Sequence, residues 1–389
     1  MAIHFTRDEF DQRRDAVVRA LKGRGLFGIL LFKQESMYYL TGYDTFGFCF
    51  FQCLWLGSDG RMTLLTRAPD LRQAQHTSII EDIRIWVDEA GADPAGALRD
   101  VVTGHGGAGT LIGVERDTQG LTAANWLKVE RAFDEFCTLE DASDLVSALR
   151  RVKSDDELAH VRRAAELADD ALAEAERLAA PGAFEGDILA AMQGAVFRGG
   201  GEYPGNPFIL SSGPDALLCR DKAGRRRLAE QDQLTLEFAG AYCRYHAALM
   251  RTLVIGPVSD AHKAMHRACG DALEACRDTL HPGRRFGEVF DAHARVLDKA
   301  GYRKHRLNAC GYSLGATFAP SWMDGPMFYT GNPQSVVPGM VLFVHIILAN
   351  SDDGLAMTLG ETYAITEDGP ECLSRAPHNL APGGGEAAG

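Results

Sequence analysis

Thr235–Thr252, TLEFAGAYCRYHAALMRT, decides how the second half of this chain is read. It has the outline of a strand pair. Glu237 is the only acid in the stretch, and Arg251 across the hairpin offers it a structural partner. The question is what a lone carboxylate can do in such a hairpin.

A chain of 389 residues exceeds what one core can organise, so two domains are expected. The 46% apolar and 24% charged content is that of a globular protein. Forty basic against 53 acidic side chains give a net charge of −13, which argues against a basic face for nucleic acid or anionic membranes. The N-terminus MAIHFTRDEF lacks the apolar core of a signal peptide. The longest apolar run, VLFVHIILA from Val341, has nine residues and contains His345, against roughly twenty for a span. A cytoplasmic location is expected. Nine scattered cysteines with no C-x-x-C pair read as free thiols in a reducing compartment.

Residues 1–150 alternate helical and strand patterns. Thr6 and Glu9 form a capping box, followed by a helical face of Phe10, Val17, Val18 and Leu21. The strand candidates are GILLF, GFCFFQCLWLG, RMTLLTR, DIRIWV and TLIGVE, with helices near Ala95–Val102 and Leu121–Phe133. An α/β domain with a mixed sheet follows. A second domain, 151–376, opens on a capping box at Ser154 and Glu157 and a helix that Pro181–Gly182 ends. It continues as alternating helices and strands, and a small, polar tail, 377–389, is expected to be disordered.

Three motifs are discounted. GHGGAG at Gly104–Gly109 has a helix before it and a strand after it, the reverse of a dinucleotide site. GYSLG at Gly311–Gly315 lacks the hydrophobic strand that a nucleophile elbow needs upstream. His262 and His266 share a helix face without a third ligand and read as a solvated face. The segment from Gln34, QESMYYLTGYDTFGFCFFQC, is different. Alternating aromatics there supply a core, while Tyr43 and Phe46 near the turn are candidates to wall a pocket for an organic cation.

The second half resembles the pita-bread fold of creatinase, aminopeptidase P and methionine aminopeptidase, and the first half the creatinase-like N-terminal domain. The resemblance implies an α/β N-terminal domain followed by an α+β pita-bread catalytic domain. Peptidases of that family hold two metal ions with two aspartates, a histidine and two glutamates. Those positions fall here at Glu237, Ala248, Tyr312, His345 and Gly360, with Glu361 beside the last. A further family histidine falls at Arg220 in SSGPDALLCR. Such a set does not gather the carboxylates that a metal pair needs, so no metal and no other cofactor is expected. The phrases YYLTGYDTFG, LTLEFAG, YHAALMRT, GYSLGATFAPSWMDGPMFY and GMVLFVHIILANS resemble the ectoine hydrolase branch. That implies a cytoplasmic homodimer opening ectoine or 5-hydroxyectoine, a small zwitterion, at its cyclic amidine.

An amidinium presents two N–H donors in a planar fork, which a carboxylate matches. Glu237 is the first candidate for that partner, as general base or as nucleophile, with Glu361 a second carboxylate. His345 or Tyr312 would hydrogen-bond the tetrahedral centre, and Arg220 would balance the substrate carboxylate. Trp322 and Asp324, in the segment SWMDGPMFY, would belong to a lid. The Phe46 turn would reach a partner subunit's pocket, as in related dimers. Bland readings stand beside these: His345 as a core histidine, Glu361 as a solvated acid, Tyr312 and Trp322 as packing. The rival functions are a creatinase-type amidinohydrolase and a catalytically dead binding module.

Overall fold

The computed structural model describes residues 3–220 and 224–381. The chain divides into two compact units, Met1–Arg150 and Arg151–Gly389.

In the first unit α1 (Arg7–Gly23) is capped by Thr6, which accepts from the Glu9 amide. The Glu9 carboxylate turns to Arg13 at 2.9 Å, so half of the expected capping box forms. Next come β1 (Gly28–Leu31), α2 (Gln34–Thr41), β2 (Cys53–Gly57), β3 (Met62–Arg67), α3 (Leu71–Thr77) and β4 (Ile83–Trp86). The unit ends with α4 (Pro94–Gly104), β5 (Leu111–Val114), α5 (Ala123–Phe133), β6 (Thr138–Asp141) and α6 (Ser143–Arg150). The sheet, in the order β4-β3-β2-β1-β5-β6, mixes parallel and antiparallel pairs. Tyr38 and Tyr39 lie on α2, and both are buried in the core that the aromatics of this segment were expected to supply. Gly42 at φ 79° ends that helix in the left-handed conformation open to glycine.

The second unit opens with α7 (Asp155–Leu178), where the Ser154–Glu157 capping box is complete. Next come α8 (Glu185–Arg198), β7 (Ile209–Ser212), β8 (Asp232–Tyr242), β9 (Tyr245–Ile255), α9 (Asp260–Thr279) and α10 (Phe286–Lys299). The last strands are β10 (Gly311–Ser313), β11 (Asp324–Met327), β12 (Val341–Asn350), β13 (Leu355–Thr366) and β14 (Gly369–Cys372). They form one antiparallel sheet, β11-β10-β12-β13-β9-β8-β7, with β14 against β13. The opening stretch is the β8–β9 hairpin. Cys243 (φ 49°) and Arg244 (φ 65°) form its turn, and both central residues are left-handed as a tight hairpin of this twist requires. Neither is glycine, so the turn is strained. The Glu202 carboxylate, accepting from the Arg244 amide at 2.9 Å, holds it.

Strand parity divides this sheet by function. Leu236, Phe238, Leu249 and Leu253 pack into a core shared with α7 and α8, while Leu342, Val344, Ile346 and Leu359 join one shared with α9 and α10. At Gly240 a Cβ would lie 2.0 Å from the Ala164 carbonyl, so only glycine lets α7 approach. Residues of the opposite parity face away from the helices, and there the register builds two rows. Ile209, Glu237, Met250, Gly360 and His345 stand abreast across β7-β8-β9-β13-β12. Beside them run Ala248, Thr362, Phe343 and Tyr312.

Residues 377–381 are not loose. Leu380 accepts from the Val254 amide at 2.8 Å, and the His378 ring lies 2.9 Å from Glu361. The rest of the expected tail, 382–389, lies outside the described residues. The two helix histidines are not a solvated face either. His262 is 7% exposed and paired with its cap Ser259, and His266 Nε2 is buried. Ser313 is an ordinary buried residue of β10. Among the described residues no helix is long and apolar enough to cross a membrane.

Candidate active site

The two rows floor a cavity of about 310 Å³. Glu237, Met250, His345 and Ile347 rise from the sheet, with Tyr312 at one end. Asn206–Ile209 and Cys219–Arg220 wall one side, and Pro320–Met323 with Met327 close another.

Glu237 is placed by register. Opposite Met250 and one residue out of phase with Arg251, it cannot form the cross-hairpin ion pair that the sequence allowed. Its Oε1 accepts from the Tyr312 hydroxyl at 3.3 Å, and that hydroxyl accepts from Trp322 Nε1 at 2.8 Å. Burial pushes the Glu237 carboxyl up to about 7, against the smaller downward pull of the Tyr312 hydrogen bond and the Arg220 guanidinium. Burial, with Glu237 adding to it, holds Tyr312 well above the ordinary phenol range, so it remains a neutral donor. His345 is pushed down to about 3 by burial and by His293, and its imidazole is neutral. Its Nδ1 is buried with no hydrogen-bond partner among the described residues. Arg220 stands exposed at the rim and is the cationic side chain among the described lining residues.

The structure thus brings Glu237, Tyr312, His345, Trp322 and Arg220 to one cavity. It does not bring the others. Glu361, one residue past Gly360, points to the helix face. There Arg251 Nη2 meets its Oε1 at 2.5 Å, with the two side chains 1% and 2% exposed. It is neither a second carboxylate of the cavity nor a solvated acid. Asp324 opens β11 half-buried, in register with Ser313, and does not line the cavity. Tyr43 is fully buried in the first unit, where its hydroxyl lies 3.4 Å from both Gln52 and Thr66. Phe46 is 81% exposed, and the cavity lining comes wholly from the second unit. Asn206, Met250 and Met323 were missed. Counting alternate residues from Glu237 through its hairpin partner would have found Met250.

Residues 159–367 match metallopeptidase family M24, and residues 13–152 match the creatinase/prolidase N-terminal domain. The chain belongs to metallopeptidase family M24. It is 28% identical over 391 residues to an uncharacterised hydrolase/peptidase, y4tL, of Sinorhizobium fredii, covering 97% of each chain. It is 26% identical over 399 residues to the ectoine hydrolase of Halomonas elongata, covering 98% of each. The prolidase structure from Thermococcus sibiricus superposes with a TM-score of 0.86 at 20% identity, over 96% of this chain and 98% of that one. The fold is therefore the creatinase N-terminal domain followed by the pita-bread catalytic domain, and the protein is a hydrolase of the M24 family.

The metal pair of M24 peptidases does not fit this donor set. The five corresponding positions share the sheet parity that faces away from the helices, and three of them line the cavity: one carboxylate (Glu237), one neutral phenol (Tyr312) and one neutral imidazole (His345), while Ala248 and Gly360 carry no donor side chain. Among the described residues no three His, Cys, Asp or Glu side chains converge as a metal site.

Proposed function

We propose that this M24 hydrolase opens the cyclic amidine of ectoine or 5-hydroxyectoine to an N-acetyl-diaminobutyrate, without a metal ion. The observation that carries the reading is Glu237. It is the one carboxylate among the former ligand positions, held near neutrality in a small cavity with a guanidinium at its rim. The ectoine hydrolase of Halomonas elongata, similar over nearly the whole chain, supports the substrate class.

The cavity is at the small end of the roughly 300–1,000 Å³ usual for small-molecule sites. A planar amidinium against Glu237 and a substrate carboxylate against Arg220 place both charges of the zwitterion. Glu237 then takes a proton from water as the water oxygen bonds to the amidinium carbon. The tetrahedral centre collapses to an amide as the ring C–N bond breaks, and the proton held by Glu237 together with the hydroxyl proton of that centre end on the departing nitrogen, which leaves as an ammonium and returns Glu237 to the carboxylate. His345 is the neutral group placed to hydrogen-bond that centre, while the Tyr312 hydroxyl donates to Glu237. The nine free thiols suit the reducing compartment in which this reading places the enzyme, as a homodimer.

The test is proton NMR of chelator-treated protein incubated with ectoine and, separately, with creatine. Ring-opened acetyl-diaminobutyrate is the expected product. Turnover of creatine alone would move the reading to a guanidino substrate. Turnover only on adding a divalent metal would remove the metal-independent mechanism.

A further inference from the structure

An indole N–H can only donate, and a hydroxyl has one proton to give. At the end of the cavity these two limits fix a direction. Trp322 Nε1 donates to the Tyr312 oxygen at 2.8 Å, so the Tyr312 proton is turned toward its other neighbour, Glu237 Oε1, at 3.3 Å. Trp322 is 1% exposed and Tyr312 2%, so water does not compete for either group. The Trp322 amide is anchored as well, donating to Asn206 Oδ1 at 3.2 Å. Next to it Gly205 packs so closely that a Cβ there would lie 2.6 Å from the Ser321 carbonyl carbon. The indole is therefore held at both its backbone and its ring.

We propose that Trp322 is a positioning residue that acts through Tyr312. It fixes the polarity of the Trp322–Tyr312–Glu237 chain, so that Oε1 is occupied by the phenol proton and Oε2 is the basic oxygen offered to water. Without the indole N–H, the phenol is free to turn and accept a proton from Glu237, which favours the protonated carboxyl. With it, only a donor faces Glu237, and the ionised carboxylate is favoured. The burial that raises the Glu237 carboxyl is thereby opposed by a donor chain of fixed direction. The catalytic meaning of this rests on Glu237 being the base of the proposed hydrolysis, while the chain itself is a property of the free protein.

The test titrates Glu237 in the absence of substrate, in protein carrying 13Cδ-glutamate, with the Glu237 resonance assigned by its loss in Glu237→Gln. Replacing Trp322 by 3-benzothienylalanine keeps the ring shape and removes only the N–H. The expected result is a titration midpoint about one pH unit higher, a tenfold change in proton affinity, as for a lost hydrogen bond to a charged group. Tyr312→Phe should raise it by at least as much. Combining the two should add nothing to Tyr312→Phe alone, because Trp322 acts through the phenol. Ectoine turnover, where present, should show its acid limb moving by the same amount. An unmoved midpoint in the benzothienylalanine protein would overturn the proposal, as would an additive double variant. A shifted titration in a protein that does not turn over ectoine would keep the proposal and remove the functional reading.

Discussion

Glu361→Gln separates a structural acid from a catalytic one. Glu361 sits one residue beyond the last former ligand position, and sequence alone made it a second catalytic carboxylate. Its side chain instead lies 2% exposed under the helices, where Oε1 accepts from Arg251 at 2.5 Å and faces the His378 ring at 2.9 Å. Glutamine keeps the shape and one acceptor oxygen but removes the charge. Arg251 would then be a cation 1% exposed, still donating to the Met250 and Gly360 carbonyls but without its counter-charge. Breaking a buried pair in this way costs about 3–5 kcal/mol. For a unit of this size that is a fall in Tm on the order of 10 °C, read by differential scanning calorimetry. Because β9 and β13 present this pair to the helices and the cavity to the other side, kcat well below the new Tm should fall less than about threefold. A hundredfold loss of kcat with Tm unchanged would refute the face assignment and return Glu361 to the chemistry.

Glu237→Gln should lower kcat by about 10²–10⁴, the usual contribution of a general base, while leaving the protein folded. It should also stabilise. The folded carboxyl is raised from 4.5 to about 7, so stability is lost as pH rises through that interval. The glutamine variant should escape this and exceed the parent above pH 7 by about 3 kcal/mol in denaturant titrations. The acid limb of kcat/KM for the parent should fall near pH 7, and a limb near the ordinary 4.5 would remove Glu237 as the base. Arg220→Gln should raise KM about ten- to a hundredfold with little change in kcat, the pattern of lost uniform binding to a substrate carboxylate. Gly205→Ala drives a methyl group to 2.6 Å from the Ser321 carbonyl carbon, and should cost about 1–3 kcal/mol of stability and lower kcat by displacing Trp322.

The cavity-facing acid was legible because resemblance and residue type agreed on it: a lone glutamate in an apolar hairpin has few structural reasons to be there. Glu361 was not, because a single residue of offset in a strand reverses the face, and only the Gly360–Met250 register fixes the phase. Arg251 was read against the wrong acid, since its partner is Glu361. A guanidinium inside ALMRTLVI must find a buried partner, and parity excludes Glu237 as that partner. The aromatic segment from Gln34 supplies its core from a helix. Adjacent tyrosines favour strands by propensity, yet the buried Gln34 and Ser36 side chains find partners in Tyr43 and Glu115 that a helical turn can reach. Five of the six strands of the first sheet fall within the apolar runs read from the sequence, β6 at Thr138–Asp141 does not, and the strand orders depend on non-local pairing that composition does not encode.

Parity separates the packed helix face of this M24 sheet from the positions that correspond to the family's metal ligands. On the helix face every side chain is packed, and the Arg251–Glu361 pair is retained because removing either half strands the other. On the opposite face Ala248 is fully buried and a Cβ at Gly360 would lie 2.8 Å from the Phe343 ring, so those two positions are filled by neighbours, and only Glu237, Tyr312 and His345 of the five reach the cavity. What changes there is electrostatic. A cluster of carboxylates needs an ion to offset its mutual repulsion, whereas a single carboxylate at Glu237 meets only its own desolvation. That burial, opposed by Tyr312 and Arg220, leaves the carboxyl near neutrality in the empty cavity. In the proposed reaction an organic cation of fixed planar shape would supply the missing counter-charge, and in doing so would draw Glu237 into the ionised form that abstracts a proton from water.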